Sequence, residues 1–348
     1  VLQTTDYTPF VTALAVFPDQ EGVDTAFSVT KGTFDIGPEG IQVAEEQLPV
    51  VRADECWDEP GTSSIRYAAE LGFTKPATDI VMTGHAYAPA ERRVTSIDVG
   101  LMVGSRRKII RVFGDRCWDR TLGIAHFTDP LPFAEMPLRY ERAFGGRDQV
   151  SGRDGPQPRV YAANPIGHGF RVRGGEQALT GMPLPNLEDP KHLIDSPKDR
   201  PPPAGFGYIH PHWEPRRRYA GTYDEHWKKN RAPYLPADFD PRFNQAAHPD
   251  LIADGYLKGG EEVKIVNASK SGLLHFQLPR IRLSADFMID GALHTRTPVW
   301  DTLVLEPDRH RFIAVWRASI PCDKQVLRVR EVVVRCLDAD IDLGIDLG

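Results

Sequence analysis

RIRLSADFMIDGALHTRT, residues 280–297, reads as two strands around one tight turn. ADFMI and ALHTRT flank Asp290-Gly291. An Asp-Gly pair supplies the positive φ values that a two-residue hairpin turn needs, so the chain doubles back here. Working outward, EEVKIVN and LLHFQLP precede the hairpin, while DTLVLE, RFIAVWRA and VLRVREVVVRCL follow it. Each run is short and rich in β-branched or aromatic residues. Turn signals such as Ser271-Gly272 punctuate them at the spacing of a sandwich. Residues 261–348 are therefore expected to be C-terminal strands.

The first 130 residues repeat the theme. Residues 25–36, TAFSVTKGTFDI, alternate loosely, and residues 80–86, 94–103 and 108–113 are similar runs separated by Gly, Pro and Asp. The character changes near Pro130. A short helix is expected over 134–143, stopped by Gly145-Gly146. The rest of 131–260 is loop-rich, with Pro183, Pro185, Pro190, Pro197, Pro201, Pro202 and Pro203 in close succession. Proline removes a backbone donor, so this is no regular sheet. Yet Phe206, Tyr208, Trp213, Tyr219, Tyr223, Trp227, Tyr234, Phe239 and Phe243 also lie in it, and so many aromatics imply packing. The expected fold is mainly β: one unit, 1–348, built as an antiparallel two-sheet, sandwich-like assembly. The irregular middle, with a few short helices, folds across one side. A split into two domains near residue 150 or 255 is the alternative. The tail DADIDLGIDLG alternates Asp with apolar residues and reads as an edge strand or a mobile end.

Composition narrows the function. With 348 residues, 26% charged and 41% hydrophobic, the chain is globular rather than disordered. A net charge of -6 gives no global attraction to nucleic acid or anionic lipid. The cysteines, at 56, 117, 322 and 336, form no CxxC, which argues against structural zinc and fits free thiols in a reducing cytosol. No secretory leader pattern opens the chain at Val1, and no apolar run is long enough to span a bilayer. The expected location is cytoplasmic.

AGTYDEHWKKNRAPYLPADFD, residues 220–240, resembles a catalytic inventory. His210, His212 and His226 could supply nitrogen ligands, but Pro211 separates the first two and no carboxylate or cysteine stands at ligand spacing. Asp224, Glu225, Asp238 and Asp240 could pair as acid and base in a hydrolase. Helix polarity explains the same charges without a reaction. Thr222 is read as the N-cap of a helix over 223–230, acids follow it, and Lys228, Lys229 and Arg231 sit near the C-terminus. No GxSxG occurs, and Gly145-Gly146 and Gly174-Gly175 lack a following GK[ST]. No catalytic residue, metal or cofactor is expected.

The glycines are more telling. Gly145-Gly146, Asn164 with Gly167, Gly205 with Gly207, and Gly221-Thr222 each sit among aromatic residues, a pattern that builds fixed loop surfaces. Arg142, Phe144, Trp213, Arg216, Arg218, Tyr223 and Trp227 are the side chains expected to meet a protein partner there. A carbohydrate-binding sandwich that stacks sugars on Trp213 and Trp227 is the competing non-enzymatic reading.

An ordered set of motifs resembles a known family. In order they are KGTF from Lys31, KPATD from Lys75, Gly114-Asp115-Arg116 with Trp118, YERAFGG from Tyr140, NPIG from Asn164, PLPNLE from Pro183 and PAGFG from Pro203. Trp213 with Pro215-Arg216, GTYD from Gly221 with Trp227, Leu235-Pro236 with Asp238-Phe239-Asp240, and Asn244 with Ala246 complete it. Together they are similar to the accessory proteins of unknown domain function encoded beside type VI secretion toxins. The resemblance implies a cytoplasmic adaptor or chaperone, not an enzyme. Its partners would be a toxin effector and, as a second candidate, the spike protein or its tip, with neither nucleic acid nor membrane. It hands over no catalytic residues.

Overall fold

The computed structural model describes residues 3–148, 159–172, 179–323 and 328–345. At its centre lie two long neighbouring strands, Asp24–Gly37 and Arg311–Pro321. Consecutive residues of both are buried, so the sheet they anchor is covered on its two faces. That six-stranded sheet runs Val11–Pro18, Asp24–Gly37, Arg311–Pro321, Val299–Glu306, Asp79–Met82, with Gly40–Val43 paired to the far end of Asp24–Gly37. A five-stranded sheet runs Leu187–Glu188, Arg106–Phe113, Ser96–Val103, Glu262–Val266, Leu273–Gln277. A four-stranded sheet runs Gln3–Asp6, Val329–Ala339, Ile281–Ile289, Ala292–Arg296. Early and late strands interleave in all three.

The fold is mainly β and sandwich-like, as the strand runs imply. Asp290 and Gly291, at φ 51° and 81°, turn Ile281–Ile289 into Ala292–Arg296. Three findings differ from expectation. There are three large sheets rather than two, and within them two pairings, Gln3–Asp6 with Val329–Ala339 and Asp79–Met82 with Val299–Glu306, are parallel. The helix expected over 134–143 is instead a short strand, Glu135–Pro137, and a single 3-10 turn, Tyr140–Arg142. Pro137 lies inside that stretch, and its missing N–H and ring clash disfavour a continuous helix. The tail is packed as far as it is described: Leu343 is buried and Ile341 and Ile345 lie against the core. Gly174-Gly175 and residues 346–348 lie outside the described residues.

One large apolar cluster joins the six- and five-stranded sheets to the middle of the chain. It holds Phe34, Ile80, Leu101, Ile265, Phe312 and Trp316 together with Tyr140, Phe206, Trp213 and Leu251. A second, with Ala26, Phe287, Ile320, Val332 and Val334, joins the six-stranded sheet to the four-stranded one. The loop-rich middle is therefore part of the core.

Several early motifs are buried ion pairs. Lys31, 1% exposed, donates to the Pro49 carbonyl at 2.9 Å and to Glu70, whose carboxylate also accepts from the Val51 amide at 2.7 Å. Lys75 donates to Asp79 at 2.8 Å and to Thr302 at 2.7 Å, and Asp79 accepts from the Ala246 amide at 2.7 Å. Arg317 pairs with Asp301 at 2.6 Å and also donates to the Gly72 carbonyl. These groups tie the irregular segment 44–78, and the 246 region, to the central sheet. Removing one member of such a pair leaves a bare buried charge, at about 3–5 kcal/mol.

Candidate functional site

The glycine-rich motifs fold into one knot. Phe144-Gly145 pairs in parallel with His168-Gly169. The Asn164 side-chain amide donates to the Tyr140 carbonyl at 2.8 Å and the Phe144 carbonyl at 3.1 Å. Gly145, at φ +154°, leaves only 2.1 Å between a would-be Cβ and the Asn164 carbonyl oxygen. Gly146 and Gly167 are as tightly placed, at 2.3 Å from the Gly167 oxygen and 2.4 Å from the Ala143 oxygen. Gly205 lies on the Tyr140 ring at 2.5 Å, whereas Gly207 has ordinary room, 3.9 Å, beside the same ring. AFGG, NPIG and PAGFG thus interlock as pieces of one structure.

This knot corrects the expectation for two aromatics. Phe144 is 2% exposed among Trp118, Leu179, Leu184 and Ile194, and Trp213 is 5% exposed with its ring edge-on to Tyr140 at 5.8 Å. Both rings turn inward, so neither presents a surface to a partner. Arg216 is likewise a staple: it donates to the Phe243 carbonyl at 3.0 Å and the Ile209 carbonyl at 2.6 Å. Arg218 is exposed and pairs with Glu214 at 3.1 Å.

Residues 220–240 form a small lobe. Its helix is Glu225–Asn230, and its N-cap is Asp224, which accepts from the Trp227 amide at 2.8 Å. Thr222, the expected cap, instead bonds Asp238 through its amide at 2.9 Å and its hydroxyl at 2.7 Å. These two bonds hold the Gly221-Thr222 turn, leaving the cap to the next acid. Trp227 is half-buried, donates to the Tyr234 carbonyl at 2.8 Å, and meets the exposed Tyr223 edge-on at 4.7 Å. Asp240 caps Pro241–Asn244 and pairs with Arg242. His210 and His212 lie ring to ring at 5.2 Å, and His226 is exposed on the helix. Among the described residues no group of three or more His, Cys, Asp or Glu side chains is arranged to hold a metal.

Arg142 is the expected contact residue that the fold brings to an opening. It donates to Asp115 at 3.1 Å and Asn186 at 3.1 Å along an open cleft of about 570 Å³. Arg116, Cys117, Thr128, Leu131, His168 and Leu184 also line it. Arg116 and Glu188 form a buried pair at its base, with the guanidinium 3.8 Å from the Phe113 ring centre. Burial pushes the Glu188 carboxyl up, against the pull of Arg116. Burial and then Arg142 lower the His168 pKa, which keeps the ring neutral in the cleft at neutral pH.

Beside this cleft stands a hairpin that sequence reasoning missed, Trp118–Thr121 paired with Ile124–Phe127. Its turn is Leu122-Gly123, at φ 52° and 85°. Trp118 and Ala125 face the small inner cluster, while Leu122 is 98% exposed and Ile124 72% exposed. Leu131, 62% exposed, lines the cleft, whose wall also holds Cys117 and Thr128 at the base of this hairpin. A leucine in the left-handed region is an outlier, since this turn favours Asn, Asp or Gly. The available signal was the sequence TLGI, two β-branched residues around a Leu-Gly pair.

The architecture and this surface define a β-rich protein whose glycine-rich motifs interlock in one knot. The family described as "Uncharacterized protein conserved in bacteria (DUF2169)" matches residues 21–317, and the chain belongs to it. Neither a curated protein nor a solved structure matches the chain. No helix among the described residues is long and apolar enough to cross a membrane.

Proposed function

We propose that the chain is a cytoplasmic, non-enzymatic adaptor that binds a type VI secretion toxin effector and helps load it onto the spike protein or its tip. One observation carries the binding part: the exposed apolar tip, Leu122 and Ile124, beside the open Arg142 cleft. An outward leucine in a disfavoured backbone conformation does nothing for this fold, and it suits insertion into an apolar pocket of a partner. The ordered motif set, with its likeness to proteins encoded beside type VI toxins, supplies the class of partner.

The competing readings have less support. Trp213 is buried and cannot stack a sugar. Asp224, Asp238 and Asp240 are already engaged in holding loops. Affinity capture from the native host tests the proposal. The tagged chain should retain the effector encoded beside it, and Leu122→Asp with Ile124→Asp should weaken that capture about tenfold or more. No complex with any neighbouring gene product, together with unchanged effector secretion in a deletion strain, would overturn it.

A further inference from the structure

Leu273–Gln277 is the last strand of the five-stranded sheet, paired with Glu262–Val266 on one side and with no described strand on the other. Its ends fix which residues face the open side. The Asn267 amide donates to the Gly272 carbonyl at 2.6 Å, and the Leu278 amide donates to the Glu261 carbonyl at 3.0 Å. Backbone bonding alternates along an antiparallel strand, so Leu274 and Phe276 also bond inward. Leu273, His275 and Gln277 therefore turn their N–H and C=O groups outward. All three residues are exposed, Leu273 at 55%. Among the described residues one long contact reaches these groups, from the Ser271 hydroxyl to the Leu273 carbonyl at 3.5 Å. The His275 ring leans back across the sheet to Glu262, at 2.7 Å, and leaves the edge clear.

Other sheet edges are guarded. Val11–Pro18 ends in a proline, Leu187–Glu188 is two residues long, and on Ala292–Arg296 the Arg296 guanidinium donates to the Thr295 carbonyl at 3.0 Å. Proline, short length and edge charge are the usual protections of an open strand. LLHFQ, residues 273–277, has no proline, lysine, arginine or acid. Beside it lies an open cleft of about 410 Å³, walled by Ile36, Ile41, Phe276 and Leu278. Phe276 is only half-buried there, stacked on Phe312 at 5.8 Å on the core face of the sheet.

We propose that this edge pairs with the same edge of a second copy of the chain, as an antiparallel, two-fold symmetric dimer. The outward residues are spaced evenly about His275, so one register satisfies them all. His275 stands opposite the partner's His275, and Leu273 opposite the partner's Gln277, in both directions. Each facing pair then exchanges both of its backbone bonds. A foreign strand would have to match this spacing, whereas a second copy matches it by symmetry. On the core face the partner's Leu274 stands opposite Phe276 and covers its open side. The contact is small, so the dimer is weak, with a Kd of about 10–100 μM. It uses none of the Leu122 hairpin or Arg142 cleft residues and stands apart from the effector proposal.

Sedimentation velocity on the intact protein, from about 1 to about 300 μM, tests it. The natural chain should pass from monomer to dimer. Leu273→Lys with Gln277→Lys sets lysine against lysine in both outer pairs and should raise the Kd about tenfold or more. Leu273→Glu with Gln277→Lys sets opposite charges there and should keep the dimer at least as tight as the natural one. Both positions are exposed, and melts followed by circular dichroism check that the two variants fold alike. Leu122→Asp with Ile124→Asp should leave the dimer unchanged. A natural chain that stays monomeric at about 300 μM, association indifferent to the paired lysines, or equal loss in both charged variants would each overturn the proposal.

Discussion

His248 shows how much one side chain carries in this fold. Its Nδ1 accepts from the Asp250 amide at 3.2 Å, capping Pro249–Leu251, and its Nε2 lies 3.3 Å from the Lys108 ammonium. Asp250 and Asp189 are the acids that face it. Burial first, then Lys108, lower its pKa from 6.5 to about 4. Between those values the unfolded chain takes up a proton that the folded chain refuses. Stability from this group is therefore complete above about pH 6.5 and is lost as pH falls towards 4, by up to roughly 3 kcal/mol. Urea midpoints measured at about pH 7.5 and about pH 5 should drop for the natural chain. His248→Asn keeps a cap acceptor without titrating and should drop clearly less; an equal drop would discount the effect. At this scale the sequence was a partial guide. Gly145, Gly146, Asn164 and Gly167 were legible as loop builders, because a glycine among aromatics has few other uses. Phe144 and Trp213 were misplaced, because the same pattern does not say which way a ring turns, and here both rings are buried.

Among the elements, the Leu122-Gly123 hairpin offers the sharpest trade. Leu122 at φ +52° costs about 1–2 kcal/mol that Asn would largely avoid in this type of turn. Leu122→Asn should therefore raise the unfolding free energy by about 1 kcal/mol, read as a higher denaturation midpoint, while reducing partner capture. A variant that loses stability would argue against strain at the tip, and unchanged capture would argue against its role in binding. The strands themselves were largely readable. Asp24–Gly37, Ile281–Ile289 and Arg311–Pro321 are runs of apolar and β-branched residues, and the pleat demands such runs wherever a sheet is buried. The elements that went wrong are those where a local rule met a stronger one. Pro137 overrode the helical look of 134–143. The bonds of Asp238 to Thr222 left the helix cap to Asp224. The hairpin escaped notice because its value lies in exposure, which periodicity does not encode.

Over the whole molecule the decisive fact is interleaving. Asp24–Gly37 has Arg311–Pro321 as its inner neighbour, Asp79–Met82 lies against Val299–Glu306, and Ser96–Val103 lies against Glu262–Val266. Pairings at such sequence separation are invisible to a reading of local pattern, which is why the strands were foreseen but their three-sheet arrangement was not. Fragments 1–260 and 261–348 should therefore each be insoluble or unfolded alone by circular dichroism, and a soluble, cooperatively melting 1–260 would contradict this. The same arrangement places a demand on synthesis. Between Gly37 and Arg311 stand 273 residues, which at about 5–20 residues per second separates the two central strands by roughly 14–55 s on the ribosome. For that interval Asp24–Gly37 has only its early neighbours Val11–Pro18 and Gly40–Val43, and its other edge and its apolar faces stay uncovered. A protein proposed to help load another chain thus passes its own early life partly uncovered, and slowing its translation should raise its aggregation.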